Sequence, residues 1–492
     1  MFMTVVSNIF NPLTILILFG GVAMGISFGA MPGLTSTMGV ALLMPLTFAM
    51  EAQNGIMLLV GIFVGAIYGG SITAILINTP GTPSAAATVL DGYKFTLRGE
   101  AGRALGISTV SSWAGGVISG IFLIFLAPQL ATAALRFSAP ETFALAFFGI
   151  SIISSVSGES ILKGLMSGVL GLILSLMGMD NITGFSRFTF GTTFLSGGLA
   201  FIPVMVGLFA LSQCFLTIEE IFVPRPKISK AKKVWPTRQD MKKILPTMIR
   251  GGITGTFIGS IPGAGGDISA FVSYDMEKRV SKHPELFGTG IPEGIAAPES
   301  SNNGTTGGAL IPLLTLGIPG DSNTAVMLGA LMMHNLTPGP QLFVQQASIV
   351  NTLFVGFIIA NFIMLLLGLT AQPLFIKIVS IPKQILTPSI IVLCAVGSYA
   401  INNNYYDIIV MIIAGVIGYF LTKGGYPLSP IILAMILGPM AEGNFRRSLV
   451  MSQGNYMIFA QRPICAAFIL IGLLSLVYPF IKRKLKKKKL SS

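Results

Sequence analysis

The segment Leu313–Leu331 has the apolar flanks of a membrane helix, yet Gly317–Thr324 at its centre reads GIPGDSNT. A Pro-Gly pair ends a helix and leaves backbone N–H and C=O groups without partners. Glycines and short side chains let such N–H groups approach a carboxylate directly, and hydroxyl groups add donors without a fixed charge. This break therefore has the chemistry of an anion-binding site.

Three other apolar segments carry a comparable break, and no Lys or Arg lies within any of the four. They centre on Pro32-Gly33, on Pro80-Gly81 and on Pro262-Gly263. The predicted substrate-binding residues are Thr35, Ser36, Asn78, Thr79, Thr82, Gly263, Gly265, Ser322, Asn323 and Thr324. The predicted helix-breaking residues are Pro32, Gly33, Pro80, Gly81, Pro262, Pro319 and Gly320.

The composition places these breaks in a membrane. The 492-residue chain is 52% hydrophobic and only 10% charged, whereas about a quarter of the residues in a soluble protein are charged. Its apolar segments include 15–28, 56–77, 117–127, 199–216, 350–369 and 464–478. The sequence thus predicts an all-α polytopic membrane protein with about ten to fourteen full or partial crossings.

Acidic residues are scarce in the apolar segments. Asp267 and Asp321 lie in two of the breaks, where an ionisable group is costly and is usually functional. We interpret both as sites for a coupling cation, either as oxygen ligands of Na⁺ or as groups that bind H⁺. Glu299 has two interpretations, a site residue or a residue at the membrane interface.

The chain contains an internal repeat. Gly25–Gly33 (GISFGAMPG) matches Gly255–Gly263 (GTFIGSIPG) at a constant offset along the chain. Gly69–Gly81 (GGSITAILINTPG) parallels Gly307–Gly320 (GGALIPLLTLGIPG) with one residue of slippage. We therefore predict two membrane repeats, at 1–223 and 248–481. The repeated glycines Gly25, Gly29, Gly255 and Gly259 are interpreted as helix-packing residues.

The distribution of Lys and Arg indicates how the repeats are oriented. Basic residues follow the second break of repeat one, from Lys94 to Arg103, but they follow the first break of repeat two, from Lys278 to Lys282. Corresponding loops then face opposite sides, which predicts an inverted-topology repeat. In transporters built this way, broken helices meet near the midplane and hold the substrate. We expect all four breaks to surround one carboxylate.

Most of the remaining positive charge lies in two segments. The linker 224–247 and the tail 482–492 are both rich in Lys and Arg, and we expect both on the cytoplasmic side, where the tail can contact anionic membrane lipid. The net charge of +13 therefore does not indicate a nucleic-acid partner. Arg446 and Arg447 are interpreted as a loop pair beside Glu442 that orients the chain or contacts another subunit.

Four stretches resemble a known family, the large membrane subunit (TctA-like) of tripartite tricarboxylate transporters. They are GAMPGLTSTMGVALLMPLTF, GAIYGGSITAILINTPGTPSAAATVLDGY, ILGPMAEGNFRRSLVMSQGN and the long run from IPGAGGDISAF to LGIPGDSNTAVMLGAL. The resemblance implies a multi-pass transporter of the bacterial inner membrane that imports a carboxylate by symport with an ion. It also implies two partners, a periplasmic substrate-binding protein and a small membrane subunit (TctB-like).

The residues also bear on other functional classes. An anion channel stays open, because broken helices also build selectivity filters. An intramembrane enzyme is a weaker alternative, since the only two histidines lie in loops. The three cysteines are isolated and no metal-ligand spacing occurs, so no cofactor other than the coupling Na⁺ or H⁺ is expected. The sequence does not indicate an oligomeric state.

Overall fold

The computed structural model describes residue 9 and residues 11–31, 34–151, 160–180, 182–219, 235–263, 265–379 and 382–490. In this part of the chain nearly all regular structure is helical, and the only strands are β1 (Gly178–Met179) and β2 (Ser186–Arg187), which pair antiparallel. The predicted all-α class is confirmed.

The helices before the basic linker are α1 (Pro12–Ala30), α2 (Ser36–Leu43), α3 (Ala52–Ile77), α4 (Ala86–Leu97), α5 (Ala101–Ala134), α6 (Ala139–Ser151), α7 (Ile161–Ser175), α8 (Thr193–Ser196) and α9 (Phe201–Glu219). Short 3₁₀ helices span Met44–Ala49 and Pro83–Ala85, and α9 contains a π-helical segment at Gly207–Leu211.

The helices after the linker are α10 (Arg238–Gly259), α11 (Gly265–Val280), α12 (Pro292–Leu316), α13 (Ser322–Met333), α14 (Pro340–Gln345), α15 (Ala347–Thr370), α16 (Gln372–Val379), α17 (Lys383–Asn402), α18 (Tyr405–Lys423), α19 (Ser429–Met451), α20 (Ile458–Gln461) and α21 (Pro463–Leu490). A further 3₁₀ helix spans Pro284–Leu286. Because α10 begins at Arg238, the end of the predicted linker is helical.

Among the described residues, seven helical segments are long and apolar enough to cross a membrane, those of α1, α3, α5, α9, α15, α17 and α18. Four shorter apolar helical segments, 36–49, 161–175, 322–333 and 463–476, have lengths expected of partial crossings. The chain is therefore a polytopic membrane protein, as predicted.

The chain divides into two compact units. The first contains residues 1–131 and 213–401, and the second contains residues 132–212 and 402–492. Each unit thus combines sequence from both predicted repeats. All four helix breaks belong to the first unit.

Glycines set the helix packing of the first unit. Where a Cβ atom would stand on Gly25 and Gly29 of α1, the backbone carbonyl oxygens of Ile62 and Ala66 on α3 already lie inside van der Waals contact. Helices can approach this closely only where side chains are absent, and the gain is dispersion contact along the whole pair. The predicted packing role of these glycines is confirmed.

The second repeat uses the same packing between α10 and α12. Gly255 and Gly259 face the backbone carbonyls of Ser301 and Thr305. These two glycines have the spacing of the glycines on α1, and their two partners have the spacing of the corresponding partners on α3. Both helix pairs therefore form the same local contact, although the opposite orientation of the repeats stays a prediction.

The contacts at the second break correct one detail of the repeat alignment. Gly81 packs against Gly70, and the corresponding Gly320 packs against Ala309. Gly70 and Ala309 are separated along the sequence by the same number of residues as Gly81 and Gly320. The same separation relates the carbonyl partners Ile62 and Ala66 on α3 to Ser301 and Thr305 on α12. The one-residue slippage inferred from matching glycine pairs is wrong, because helix packing, and not residue type, fixes the register.

A matched pair of substitutions on α1 tests this packing. Gly29→Ala places a methyl group against the α3 backbone, whereas Gly20 has no atom within 4 Å of an added Cβ. We expect Gly29→Ala to destabilise the protein by about 1–3 kcal/mol, as overpacking does. Gly20→Ala should be neutral or stabilising, because Ala favours a helix by about 1 kcal/mol over Gly. Thermal unfolding in detergent measures both; equal melting temperatures would contradict the account.

Candidate functional site

The second break of each repeat has the same geometry. Helix α3 ends at Asn78 and helix α12 at Gly317, and both residues adopt the left-handed conformation, with φ of 58° and 71°. In each case a backbone N–H then turns back to the helix, from Thr79 to Thr73 O (3.4 Å) and from Ile318 to Pro312 O (3.2 Å). A short extended link containing the Pro-Gly pair follows.

These links satisfy part of their backbone locally. The Gly81 N–H donates to Gly70 O at 3.0 Å, within repeat one. In repeat two, the Gly263 N–H donates to Gly320 O at 2.7 Å, so that hydrogen bond joins its two breaks. Backbone groups paired in this way can remain at membrane depth.

The first break of each repeat separates two helices. Thr35 caps α2, since its hydroxyl accepts from the Met38 N–H at 3.1 Å. Pro32 and Gly33 lie outside the described residues. In repeat two, Pro262 lies between α10 and α11, and α11 begins at Gly265, whose φ is 61°.

Three of the breaks meet around Asn302, in the middle of α12. A Cβ atom on Gly266, in the first turn of α11, would stand 2.5 Å from Asn302 Oδ1 and 3.3 Å from Ser84 Cβ. A Cβ atom on the neighbouring Gly265 would stand 3.8 Å from Asp321 Cβ. The break between α10 and α11 therefore contacts the Ser84 and Asp321 breaks at one point.

The helix that follows the fourth break packs against the helix that follows the break at Pro319-Gly320. Helix α2, which begins at Ser36, packs against α13, which begins at Ser322. Reciprocally, α11 packs against the 3₁₀ helix Pro83–Ala85. The helix after each first break thus packs against the helical segment after the second break of the other repeat.

Asn302 has the property expected of a ligand-binding group. It is fully buried, and neither its Oδ1 nor its Nδ2 atom has a hydrogen-bond partner among the described residues. The Oδ1 atom of buried Asn323 is likewise unpaired. An unsatisfied buried polar group costs about 1–3 kcal/mol, which a polar ligand at this point would recover.

The predicted binding residues divide into three groups by burial. Ser36, Thr82, Asn323 and Thr324 are buried, as a site requires. Asn78 and Thr79 have exposed side chains and shape the end of α3. The remaining predicted residues, Thr35, Gly263, Gly265 and Ser322, are half-buried.

The two aspartates occupy helix N-termini. Asp321 caps α13, since its carboxylate accepts from the Thr324 N–H (2.8 Å), the Thr324 hydroxyl (2.6 Å) and Asn323 Nδ2 (3.2 Å). Asp267 lies in the first turn of α11 and is exposed. The positive end of a helix dipole favours a carboxylate in both positions. The described residues contain no group of three metal-ligating side chains.

Two residues of this region were not assigned by the sequence. The sequence left Glu299 between a site residue and a residue at the membrane interface, and the structure buries its side chain fully. Asn302 was not selected at all. The available signal was the run Ser300–Thr306, which puts seven polar or glycine residues in succession into a buried 25-residue helix.

The second unit contains a separate cavity of about 370 Å³, lined among others by Asp180, Arg187, Glu442 and Arg447. Arg446 and Arg447 lie on helix α19 and not in a loop, which corrects the sequence interpretation. Arg446 pairs with Asp180 (2.7 Å) and Glu442 (2.7 Å). Hydrogen bonds from Thr183 and Arg446 hold the pKa of Asp180 below its ordinary value.

Comparisons with known proteins agree with the resemblance seen in the sequence. An uncharacterized 52.8 kDa protein of Agrobacterium vitis, from the TAR-I ttuC' 3' region, is 38% identical over 480 residues, 97% of this chain and 96% of that protein. An uncharacterized protein of the same organism, from the TAR-II ttuC' 3' region, is 36% identical over 223 residues, 45% of this chain and 92% of that protein.

No solved structure matches the chain. A sequence model described as the tripartite tricarboxylate transporter TctA family matches residues 15–433, which include all four helix breaks and Asn302. This match covers most of the 492 residues. The chain therefore belongs to the tripartite tricarboxylate transporter TctA family.

Proposed function

We propose that this chain is the large transmembrane subunit of an ion-gradient-driven secondary transporter that imports a carboxylate. The observation that carries the proposal is the buried, unpaired side chain of Asn302 at the point where three helix breaks meet. A substrate at this point would contact elements of both repeats, as alternating access requires.

The donor set favours an anion. The first turn of α11 presents backbone N–H groups beside Gly266, and the Asn302 amide and the buried Thr82 and Ser84 hydroxyls can donate as well. None of the breaks contains Lys or Arg. A site of dipoles holds a carboxylate less firmly than a buried ion pair would, so the ligand can be released during each cycle.

The substrate site is assayed by counterflow in vesicles that contain the complete transporter. A saturable exchange of labelled carboxylate is expected of a carrier, whereas flux without counterflow would favour the anion channel. Asn302→Ala should reduce exchange about tenfold or more, because it removes hydrogen bonds worth roughly 1–3 kcal/mol. Asn351→Ala is the control, since the Asn351 amide donates to Ala347 O of its own helix. Equal exchange by both variants at equal abundance would reject the site.

A coupling cation follows from the charges at the site. Asp321 lies beside the break, and Asp267 is two residues from Gly265, which contacts Asp321. A bound carboxylate brings a third negative charge into this region, and Coulomb repulsion disfavours it unless a cation binds too. We propose that Asp267 and Asp321 hold the Na⁺ or H⁺ that supplies this charge.

Asp321→Asn separates the coupling role from the capping role. Asn and Asp are about equally good N-caps, so the variant should keep helix α13 and its normal abundance. If the charge of Asp321 couples transport to an ion, uptake should lose its ion dependence while exchange persists. Ser322→Ala is the companion variant, in which ion dependence should stay. Normal ion-dependent uptake in Asp321→Asn would assign this residue to capping alone.

The partners and the location complete the proposal. A periplasmic substrate-binding protein would capture the carboxylate, and a small membrane subunit would join this chain in the bacterial inner membrane. The support is the family, together with the absence of any long hydrophilic segment in the sequence apart from the basic linker. Uptake from micromolar substrate by this chain alone would contradict the need for capture.

A further inference from the structure

Glu299 is enclosed by hydroxyl groups from three other helices. Its Oε1 atom accepts from Ser71 on α3 (2.5 Å) and from Thr88 on α4. Its Oε2 atom accepts from Ser108 (3.0 Å) and Ser112 (2.8 Å) on α5. All five residues have 0% exposure, so the carboxyl group is sealed from solvent. We call these four hydroxyls the Glu299 cage.

No basic residue balances this carboxyl group. Within the described part of the chain, Glu299 has no ion pair, and its side-chain hydrogen bonds are those of the cage. Tyr68 on α3 is a further titratable group of these helices, and its hydroxyl bonds Thr109 and Gln372 instead. The remaining ionisable residues on the packed helices are Asp91, Tyr93 and Lys94 on α4, Arg103 on α5 with Glu100 just before it, Arg238, Asp240, Lys242, Lys243 and Arg250 on α10, Asp267, Tyr274, Asp275, Glu277, Lys278 and Arg279 on α11, and Glu293 on α12.

Asp91, Arg103 and Arg250 already have hydrogen-bond or ion-pair partners other than Glu299. Asp91 accepts from the Tyr274 hydroxyl and from the backbone N–H groups of Gly288, Gly290 and Ile291. Arg103 pairs with Asp240 at 2.6 Å, and Arg250 pairs with Glu277 at 2.6 Å. The charge of Glu299 therefore has no counter-ion in its own surroundings, and an isolated buried charge is costly.

A cage of hydroxyls suits a carboxyl group that changes its protonation. Each hydroxyl can donate to a carboxylate or accept from a carboxylic acid, whereas Lys or Arg could only stabilise the charged form. When the cage is open to solvent and hydronium gives its proton to Oε2, leaving water, the new O–H can donate to Ser112 Oγ. The Ser112 hydroxyl then turns to a carbonyl of its own helix, as serines in helices do. Hydroxyls already sit within about 3 Å of both carboxyl oxygens, and a proton needs no added space.

The cage shares two elements with the substrate site. Glu299 precedes Asn302 by three residues on α12, about 4.5 Å along the helix axis. Thr88 follows Ser84 by four residues in the segment that begins at Pro83. If the segment that contains Ser84 moves against α12, Thr88 therefore moves against Glu299.

From this geometry we propose that Glu299 is a proton-binding site that opens and closes with the substrate site. Its role in coupling rests on the proposed function, but proton binding by Glu299 does not. Glu299 would thus be a second ionisable site, distinct from Asp267 and Asp321, and its ligand is H⁺.

Infrared spectroscopy of the purified protein tests proton binding without transport. We expect the carbonyl band of a buried carboxylic acid at acidic pH, weaker at alkaline pH and lost in Glu299→Gln. Glu293→Gln, a half-buried position on the same helix, should retain the band. Ser112→Ala should shift the band, because it removes a hydrogen-bond partner, and this assigns the band if Glu299→Gln does not fold.

Three results would overturn the proposal. They are no such band at acidic pH, a band equal at both pH values, and a band unchanged in Glu299→Gln. Transport supplies the coupling test: Glu299→Gln should keep counterflow but lose accumulation driven by a pH gradient, whereas Glu293→Gln keeps both. Unchanged gradient-driven accumulation in Glu299→Gln would remove the coupling role. Absence of counterflow in the unaltered protein would reject the proposed function. Proton binding by Glu299 would still be decided by the infrared result alone.

Discussion

Every helix broken inside a membrane must pair the backbone groups that the break sets free, because hydrocarbon offers them no partner. In this protein, backbone groups at three of the breaks form hydrogen bonds with other backbone groups of the chain. Gly81 donates to Gly70 O, and Gly263 donates to Gly320 O. Both bonds require close backbone approach, and glycines such as Gly29 and Gly259 permit it. The packing of α1 on α3 and of α10 on α12 is therefore the condition on which the site depends.

The same constraint explains the chemistry of the site. Breaks that pair only part of their backbone leave helix N-termini directed at their surroundings, and these attract anions without a basic side chain. Asn302 adds a neutral donor and acceptor at the meeting point. The proposed site would therefore bind a carboxylate through fixed dipoles, while the aspartates and Glu299 would supply the negative charges that a cation must offset.

Much of this arrangement could be predicted from the sequence, because it depends on local signals. Pro-Gly pairs in apolar segments marked the breaks, and repeated glycines marked the packing of α1 and α10. What the sequence could not supply is knowledge of spatial neighbours. Asn78 is a good polar candidate by type, yet it ends α3 with an exposed side chain. Glu299 lies in a polar run that resembles an interface, and only the tertiary structure shows its four hydroxyl partners.

The central claim is that a break of repeat one touches a break of repeat two, and a disulfide tests it most directly. A Cβ on residue 266 would stand 3.3 Å from Ser84 Cβ, near the separation found in disulfides. Ser84→Cys with Gly266→Cys, in a chain without its three native cysteines and with a protease site in the basic linker, should yield two fragments joined until reduced. The control pairs Ser84→Cys with Ser281→Cys, which lies just past the end of α11, about 22 Å from residue 266 along its axis. Fragments that separate without reductant in the first variant, as in the control, would contradict the account.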